Sequence, residues 1–551
     1  MVNPRRFNSG TATFNAHSRD QPHLRDDRGS GTCLRSSLLQ TTMPLLRGLL
    51  VLPPELLLSI FEHIDPPDLF SLGQTCGRIR SLVSNRHLWE SALKTTCRLN
   101  QLFEPSYHPI AALSFAELQI VALGPWRRSD SFASRSPPYL GPTTQVKDMP
   151  KQERRIWNMT LSCAGWKENT EFEGICVVPG GRYVLGCSET QVGIWDLGQN
   201  TGSPLGASAN KDGSMSRSDP VHSPVPAHLL HAPTGSMTWL MSEPTPIGSS
   251  SFRFVTGQIS SFCVHEVGPL PSDCYIRRIA TLFFPRTLSL VDFWIQGDRL
   301  FIKYREGLLV WDFILSTYVA VPTRGDVSMV TTRGDFFVAW EGLNTGVWSI
   351  PPLRPLPPDK DSMDLPELTS PVEFIKGIDF NLIPNDGLDR PAFRIRIPSP
   401  WYSFPSNAVE FLFTCKEDAE WQWVTIERYV MNITSGKGIG SPSTLISSSH
   451  PIPVRLTPGH QGYRTLCGSL AATVAMGSSP HREVRAIHFV GDVRSRPKGA
   501  GIVDKLGLGS QGIGVVGAEI ISYCPGSGRV ACVPINADVA ETQPRIICIG
   551  Y

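Results

Sequence analysis

Two glycine-rich stretches near the C-terminus are the first candidates for chemistry, GLGSQG at 507–512 and GIGVVG at 512–517. Both match Gly-x-Gly-x-x-Gly, which cradles a pyrophosphate when a strand precedes it and a helix follows it. The residues that follow, AEIISYCPGSG, are β-branched and reach Pro525 too soon for a crossover helix. We therefore interpret both stretches as strand connections and expect no cofactor.

Three histidines, His222, His228 and His231, lie within VHSPVPAHLLHAP and could ligate zinc. No cysteine or acidic residue nearby completes a ligand set, so we expect a proline-rich surface loop and no metal. The sequence contains neither Gly-x-Ser-x-Gly nor His-Glu-x-x-His. Asp196 and Asp312 each follow a tryptophan that we expect to pack in a β-sheet core. No catalytic residue is predicted.

Composition narrows the class of protein further. The 51 Lys and Arg nearly balance the 49 Asp and Glu, so the net charge of +2 does not indicate a nucleic-acid-binding protein. The 13 cysteines include no Cys-x-x-Cys pair, which favours a reducing compartment. The apolar run 45–61 is interrupted by Arg47 and Pro53, so no membrane span is predicted. We expect a cytoplasmic or nuclear protein, or one present in both.

The pattern of residues divides the chain into four parts. Residues 1–43 are polar and predicted to be disordered, and 44–123 carry helical signals. A linker rich in Pro and Ser is predicted over 124–154. From 155 to 551 the hydrophobic period is that of β-strands, with a flexible insertion at 199–226.

A recurring unit marks the β region. Residues 173–198, 297–313 and 334–350 each contain a Gly turn, an apolar strand, a second turn and a strand ending in Trp-Asp or Trp-Ser, and 252–267 is a weaker copy. A period of about 40 residues is typical of β-propeller blades, and about seven would fit. GIWDL and LVWDF resemble the WD-repeat family. A pair of β-sandwiches remains the alternative.

The segment LPPELLLSIFEHI at 52–64 predicts a short helix. Pro54 suits the first turn, where its missing N–H has no partner, and Glu55 suits the positive end of the helix dipole. Asp68 is predicted to cap the next helix. The helix carries one apolar stripe at helical spacing, widened on one side by a further leucine: Leu57, Ile60, Phe61 and Ile64, with Leu56.

The order LPPELLLSIFEHIDPPDLFSLGQTCGRIRSLVSNRHLW resembles the F-box. Thr75 and Ile79 depart mildly from the usual pattern. The fold implied is a small all-α F-box module followed by a large all-β domain, a β-propeller of about seven irregular blades. The matched positions predicted to bind an adaptor are Leu52, Pro53, Glu55, Leu56, Ile60, Ile64, Leu69, Leu72, Cys76, Leu82 and Trp89.

This resemblance implies a protein–protein module that docks on a Skp-type adaptor and through it on a cullin–RING ubiquitin ligase. The β domain would then recognise an unidentified protein substrate, and the chain would be a non-catalytic substrate receptor. One rival is a non-degradative scaffold with a propeller domain. Another is an enzyme with a site hidden in the propeller channel.

Overall fold

The structure is a computed structural model that describes the helical part continuously and the β part with gaps. Described are residues 51–127, 157–166, 170, 172–199, 225–231, 240–257, 261–283, 290–305, 307–322, 327–333, 335–341 and 344–356, and then 401, 526–528 and the strands given below. The predicted tail 1–43, the two Gly-x-Gly-x-x-Gly stretches and nearly all of the insertion 199–226 lie outside these residues. Residues up to Ile60 and residues from Phe61 onward form two compact units.

Five α-helices and two 3₁₀ turns occupy residues 54–122. The helices are α1 Pro54–Phe61, α2 Pro66–Leu72, α3 Gly77–Val83, α4 Arg86–Leu99 and α5 Phe115–Ala122, and the 3₁₀ turns are Glu104–Tyr107 and Ile110–Ala112. Residues 124–127 are also helical, so the module runs four residues into the predicted linker, whose remainder lies outside the described residues. None of the described helices is long and apolar enough to cross a membrane.

The start of α2 differs from the sequence prediction. Its N-cap is Asp65, in extended conformation, and the first helical residue is Pro66. Asp68 lies inside the first turn, so its prediction as the cap was wrong. Two consecutive prolines are tolerated there because the first-turn N–H groups have no intrahelical acceptor. The acidic side chain of Asp68 still favours the positive end of the helix dipole.

Side chains of α4 bind the segment that follows it, from the second 3₁₀ turn to the end of α5. Arg86 donates from Nη1 to the carbonyl of Leu113 at 2.8 Å and from Nη2 to that of Ile110 at 2.9 Å. The buried Thr96 hydroxyl donates to the carbonyl of Ala122 at 2.8 Å. These bonds tie α4 to carbonyls of the second 3₁₀ turn, of the residue after that turn and of the last residue of α5. A capping box of Ser114 and Glu117 begins α5.

Strands make up most of the described residues from Trp157 onward. They are β1 Trp157–Leu161, β2 Phe172–Val177, β3 Tyr183–Ser188, β4 Gln191–Asp196, β5 Pro226–His231, β6 Leu240–Met241, β7 Thr245–Ile247, β8 Ser251–Gly257, β9 Ser261–Val267, β10 Ile276–Phe283, β11 Leu290–Gln296, β12 Arg299–Tyr304, β13 Gly307–Asp312, β14 Thr317–Pro322, β15 Val327–Arg333, β16 Phe336–Glu341, β17 Asn344–Ser349, β18 Arg354–Pro355, β19 Phe374–Asp379, β20 Phe393–Arg396, β21 Ala408–Lys416, β22 Trp423–Asn432, β23 Thr444–Ser449, β24 Ile452–Pro453, β25 Arg464–Leu466, β26 Ala472–Met476, β27 Val484–Phe489, β28 Gly499–Leu506, β29 Ala518–Cys524, β30 Arg529–Pro534 and β31 Ile546–Gly550.

These strands form six sheets that follow one another along the chain. Sheet A is β1-β31-β30-β29, sheet B is β2-β3-β4-β5, sheet C is β10-β9-β8-β6 with β7 on β8, sheet D is β11-β12-β13-β14-β18, sheet E is β15-β16-β17-β19, and sheet F is β20-β21-β22-β23-β28-β27-β26-β25 with β24 on β22. The four repeat units seen in the sequence are antiparallel pairs within sheets B, C, D and E, as predicted.

Sheet A joins the two ends of the β region. The first strand, β1, pairs with the last, β31, so that Trp157 lies opposite Gly550 and Leu161 opposite Ile546. Pairing of the first strand with the last is a feature expected of a propeller-like organisation. This propeller-like organisation confirms the large all-β region that the sequence predicted.

Sheet F departs from separate blades. It contains two four-stranded units, β20 to β23 and β25 to β28, so the described strands group into seven units of four or five strands. The two are fused because Ser447–Ser449 of β23 pairs in parallel with Gly499–Gly501 of β28. The other strand pairs are antiparallel, and this one parallel pair makes the nine-stranded sheet irregular.

Arginines link successive sheets at one edge. Arg253 of sheet C donates to Asp298 in the β11–β12 turn of sheet D at 2.5 Å, and Arg299 of sheet D donates to Asp335, just before β16 of sheet E, at 2.9 Å. Arg529 of sheet A donates to the carbonyl of Gly181 in the β2–β3 turn of sheet B at 2.6 Å. Burial lowers the pKa of Arg529 to about 10, which leaves its guanidinium charged at neutral pH.

A buried histidine of sheet C gives the fold a pH dependence. His265 in β9 is 3% exposed, lies against the ring of Phe254, and its Nε2 is 2.8 Å from the Thr256 hydroxyl. Burial, aided by the positive charge of Arg278, lowers its pKa to about 3. The folded chain therefore holds His265 neutral at a pH where an unfolded chain would protonate it.

We expect acid to destabilise the chain through His265. Its folded pKa of about 3 lies below its ordinary value, so the unfolded state binds the extra proton and stability falls as pH falls from about 6.5 toward 3. Between pH 7 and pH 5 the loss from this residue is about 2 kcal/mol. Urea titrations at both pH values measure the free energy of unfolding, and His265→Gln should remove this part of its decrease between pH 7 and pH 5. An equal decrease in the free energy of unfolding in the variant would show that His265 is not the cause.

Candidate partner-binding surfaces

Helix α1 has apolar residues on two sides. Leu57 is fully buried, whereas Leu56 and Ile60 are 53% and 41% exposed, and Val51 just before the helix is 83% exposed. Leu56 and Ile60 are four residues apart and therefore neighbours on one face. The single stripe predicted from the sequence is thus divided, with Leu57 inward and Ile60 outward. Leu56 and Ile60 are therefore not part of the core in the described structure.

The predicted adaptor-binding residues fall into three groups by exposure. Exposed are Pro53, Glu55, Leu56 and Ile60, half-buried are Leu52, Ile64, Leu72, Cys76 and Leu82, and buried are Leu69 and Trp89. The Trp89 ring is fully buried, and its Nε1 donates to the carbonyl of Val83 at 2.8 Å. Within residues 61–127, Leu69 and Trp89 therefore support the fold, and any effect on a partner would act through the packing of α2 and α4.

The segment after α4 packs onto sheets B and C and onto the connection between β20 and β21. The Phe103 ring lies 6.3 Å from that of Tyr183, 5.8 Å from Phe252 and 5.3 Å from Trp401, each edge to face. The N–H of Phe103 donates to the carbonyl of Pro179 in the β2–β3 turn at 3.1 Å. Phe103 is 3% exposed and belongs to the β-sheet core. Residues 61–127 and the β region are therefore packed together through this segment.

Hydrogen bonds fix the same segment on both sides of Phe103. The Trp401 indole donates to the carbonyl of Gln101 at 2.8 Å. Arg182, which precedes β3, donates to the carbonyl of His108 at 2.5 Å and pairs with Asp196 at 2.7 Å. The arginines of sheets A, C and D each contact the next sheet, as described above. Arg182 of sheet B instead contacts the carbonyl of His108, in the segment after α4. The Gly-Arg or Gly-x-Arg at or just before the start of β3, β12 and β30 could have indicated three of these contacts in the sequence, whereas Arg253 of sheet C has no such pattern.

The two Trp-Asp pairs are structural. Trp195 is fully buried and stacks on Trp166 at 5.6 Å, and its Nε1 donates to the carbonyl of Ser162 at 2.9 Å. Asp312 accepts from the N–H groups of the tight turn that follows it. These roles agree with the sequence interpretation of the aspartates.

Two other candidates for chemistry are partly described. His228 and His231 lie in β5 rather than in the predicted loop, and the Nδ1 of His228 accepts from the N–H of Ile276 at 3.3 Å. His222 lies outside the described residues. Within the described ranges no group of three or more His, Cys, Asp or Glu could hold a metal ion. Burial raises the pKa of the Cys274 and Cys532 thiols to about 12, so neither is a thiolate at neutral pH.

Residues 49–94 match the F-box-like family. This segment of the chain is an F-box-like domain. The F-box-like segment therefore contains α1 to α3 and the first turns of α4, including both the exposed Leu56 and Ile60 and the buried Trp89.

A curated protein with a similar sequence is named as an F-box protein. The Ubiquitin ligase complex F-box protein UFO1 of Saccharomyces cerevisiae is 27% identical over 108 residues, which is 19% of this chain and 15% of the yeast protein. The match thus spans well under two thirds of that protein.

Solved structures with some similarity are β-propellers. The β-propeller domain of Nup133 from Vanderwaltozyma polyspora is 9% identical with a TM-score of 0.36. The match covers 74% of this chain and 100% of the Nup133 domain. The WD40 domain of SCAP from fission yeast is 9% identical with a TM-score of 0.31, covering 69% and 82%.

Proposed function

We propose that the chain is a non-catalytic substrate receptor of a cullin–RING ubiquitin ligase. It binds a Skp-type adaptor through the F-box and a target protein through the β region. The observation that carries the proposal is the outward face of α1, where Leu56 and Ile60 remain 53% and 41% exposed within a segment that matches the F-box-like family. The presence of a related module in a yeast ubiquitin ligase F-box protein supports it.

The adaptor face is apolar at its centre and polar at its edge. Leu56 and Ile60 present branched side chains, and burial of each contributes about 1.5–3 kcal/mol to an interface. Pro53 and Glu55 are exposed at the start of the same helix. Such a small set of apolar anchors with a polar rim is the usual anatomy of a protein–protein interface.

We infer the target-binding surface from the edge of the sheets that residues 101–109 leave uncovered. Consecutive turns of an up-and-down sheet lie at alternate edges, so β2–β3 and β3–β4 turns face opposite ways. Residues 101–109 occupy the edge that contains the β2–β3 turn. The opposite edge carries exposed charges in the described turns, Glu189 between β3 and β4 and Arg305 after β12. We assign target binding to this far edge, because connecting loops vary without disturbing the core.

The experiment that tests the proposal is purification of the full chain from cells with and without proteasome inhibition. A substrate receptor co-purifies with a Skp-type adaptor and a cullin, and a bound target accumulates when the proteasome is inhibited. Co-purification with a partner whose lifetime is unaffected by inhibition or by loss of the chain would make the protein a scaffold instead.

We expect charge reversal at the far edge to lower target binding. In Glu189→Arg with Arg305→Glu, both exposed side chains change sign, and electrostatic complementarity with the target is lost. Capture of the target should fall about tenfold, while adaptor binding is unchanged. The matched control is Asp273→Arg with Arg278→Glu, two exposed charges in and after the β9–β10 connection. Equal loss of target in both variants would show that the far edge is not the site.

A further inference from the structure

Two turns from opposite ends of the β region meet where sheet A contacts sheet B. Gly180 in the β2–β3 turn and Cys524 at the end of β29 are 344 residues apart in the sequence, yet the N–H of Gly180 donates to Cys524 Sγ at 3.3 Å. The N–H of Val177 donates to the Ser522 hydroxyl at 2.9 Å. We call this contact, made by residues 177–181 and 522–529, the A–B junction.

Residues 101–109, which follow α4, bind the sheet B side of the junction. The N–H of Phe103 and the buried hydroxyl of Ser106 both donate to the carbonyl of Pro179, at 3.1 and 3.3 Å. Gly180 has a φ of +101°, and a Cβ atom added to it would lie 2.6 Å from the Cβ of Ser106. Only a glycine therefore lets the segment come this close to the β2–β3 turn.

The same segment also contacts the sheet A side. Leu102 is 7% exposed and lies against Gly526 in the β29–β30 turn, where an added Cβ atom would be 2.4 Å from Leu102 Cδ2. The backbone of Gly526 is not in the left-handed region, so an alanine would fit the turn itself but not the side chain of Leu102. Residues 101–109 therefore lie across both turns of the junction.

One aromatic ring anchors the segment in a core that three sheets share. Phe103 belongs to the same buried cluster as Val530 of sheet A, Tyr183 of sheet B and Phe252 of sheet C. Release of the segment would expose apolar surface of all three sheets to water, and this cost opposes its release. Residues 101–109 are thus part of the core at the A–B junction.

The A–B junction joins parts of the chain that no short connection holds together. Bringing such distant segments into contact costs more loop-closure entropy than forming a hairpin between neighbouring strands. Parts of a protein can also open locally at a free energy below that of global unfolding. A segment bound to both turns must leave one of them before sheets A and B separate, so it raises the free energy of that opening.

We propose that residues 101–109 act as a strap that holds sheet A against sheet B, so that the helical module supports the junction between the two ends of the β region. When the strap leaves either turn, the junction opens more often, while sheets farther along the chain stay intact. The strap needs no partner, and the inference is therefore independent of the proposed receptor function.

Hydrogen exchange of the full chain, measured at residue resolution, tests the strap. The amides of Val177 and Gly180 report on the junction, because their acceptors lie across it in sheet A. We expect Gly526→Ala, which pushes Leu102 off the β29–β30 turn, to make both amides exchange about tenfold faster. Leu102→Ala, which removes the contacting side chain, should have a similar effect. The amides of β12 and β13 in sheet D should keep their protection.

A double variant separates the strap from a local effect of the new methyl group. Leu102→Ala leaves space for the Cβ atom that Gly526→Ala adds, so the acceleration in the double variant should be smaller than the product of the two single effects. The matched control is Gly77→Ala in α3, where an added Cβ atom meets nothing within 4 Å and exchange should be unchanged.

Three results would overturn the proposal. The first is unchanged exchange of the Val177 and Gly180 amides in either single variant. The second is an equal acceleration of the sheet D amides, which would mean general loss of stability. The third is a double variant that shows the full product of the single effects, because the two residues would then not act through their contact.

Discussion

Replacement of Leu56 and Ile60 together by Asp is expected to abolish adaptor binding and to leave the rest of the chain folded. Both side chains are largely exposed, so the fold loses little apolar contact. An interface that buries them loses about 1.5–3 kcal/mol for each and must also desolvate two carboxylates. The affinity should therefore fall roughly a hundredfold or more. Pull-down of the full chain with a purified Skp-type adaptor measures it.

The matched control uses a residue of the same type on another helix. Ile120 in α5 is 40% exposed, close to the 41% of Ile60, and Ile120→Asp should bind the adaptor normally. Leu57 is unsuitable, because it is fully buried and its replacement would act on stability. Normal adaptor binding by the Leu56 and Ile60 double variant would contradict the proposed role of α1.

The positions of the helices could be predicted from the sequence, but which face of each helix is buried could not. Leu57, Ile60, Phe61 and Ile64 have the spacing of one face, yet Leu57 and Phe61 are buried while Ile60 is exposed. Spacing alone cannot separate a core face from a docking face when both are apolar and lie side by side. The cap of α2 shows the same limit, because Asp65 and Asp68 are chemically equivalent and only the path of the chain distinguishes them.

In the β region, local pairs were predictable and distant pairs were not. A glycine turn between alternating apolar strands identifies hairpins such as β12–β13 from a few residues. The pairing of Trp157 with Gly550 joins the two ends of the region and has no local signal. The parallel contact of Ser447 with Gly499 is equally non-local, and both depend on the stacking of whole sheets.

The packing of Phe103 on the β region also had no signal in the sequence, and it can be tested by substitution. The Phe103 ring is 3% exposed and meets Tyr183 of β3, Phe252 of β8 and Trp401 of the β20–β21 connection. We expect Phe103→Ala to destabilise the chain by about 3–5 kcal/mol, because it removes an aromatic ring from a packed core and leaves a cavity. Urea unfolding followed by tryptophan fluorescence measures this loss.

A second measurement separates loss of docking from general loss of stability. A protease site placed between residues 128 and 156 cuts the chain beyond the docked segment, and the two fragments should then elute together from gel filtration in the original protein. With Phe103→Ala the helical fragment should dissociate, because the remaining hydrogen bonds of residues 101–109 are worth only about 0.5–1.5 kcal/mol each. Phe283→Ala removes a ring that is 46% exposed and should leave the fragments together. If the fragments of the Phe103 variant also co-elute, the ring is not what couples the two, and the backbone contacts to the β2–β3 turn must hold them instead.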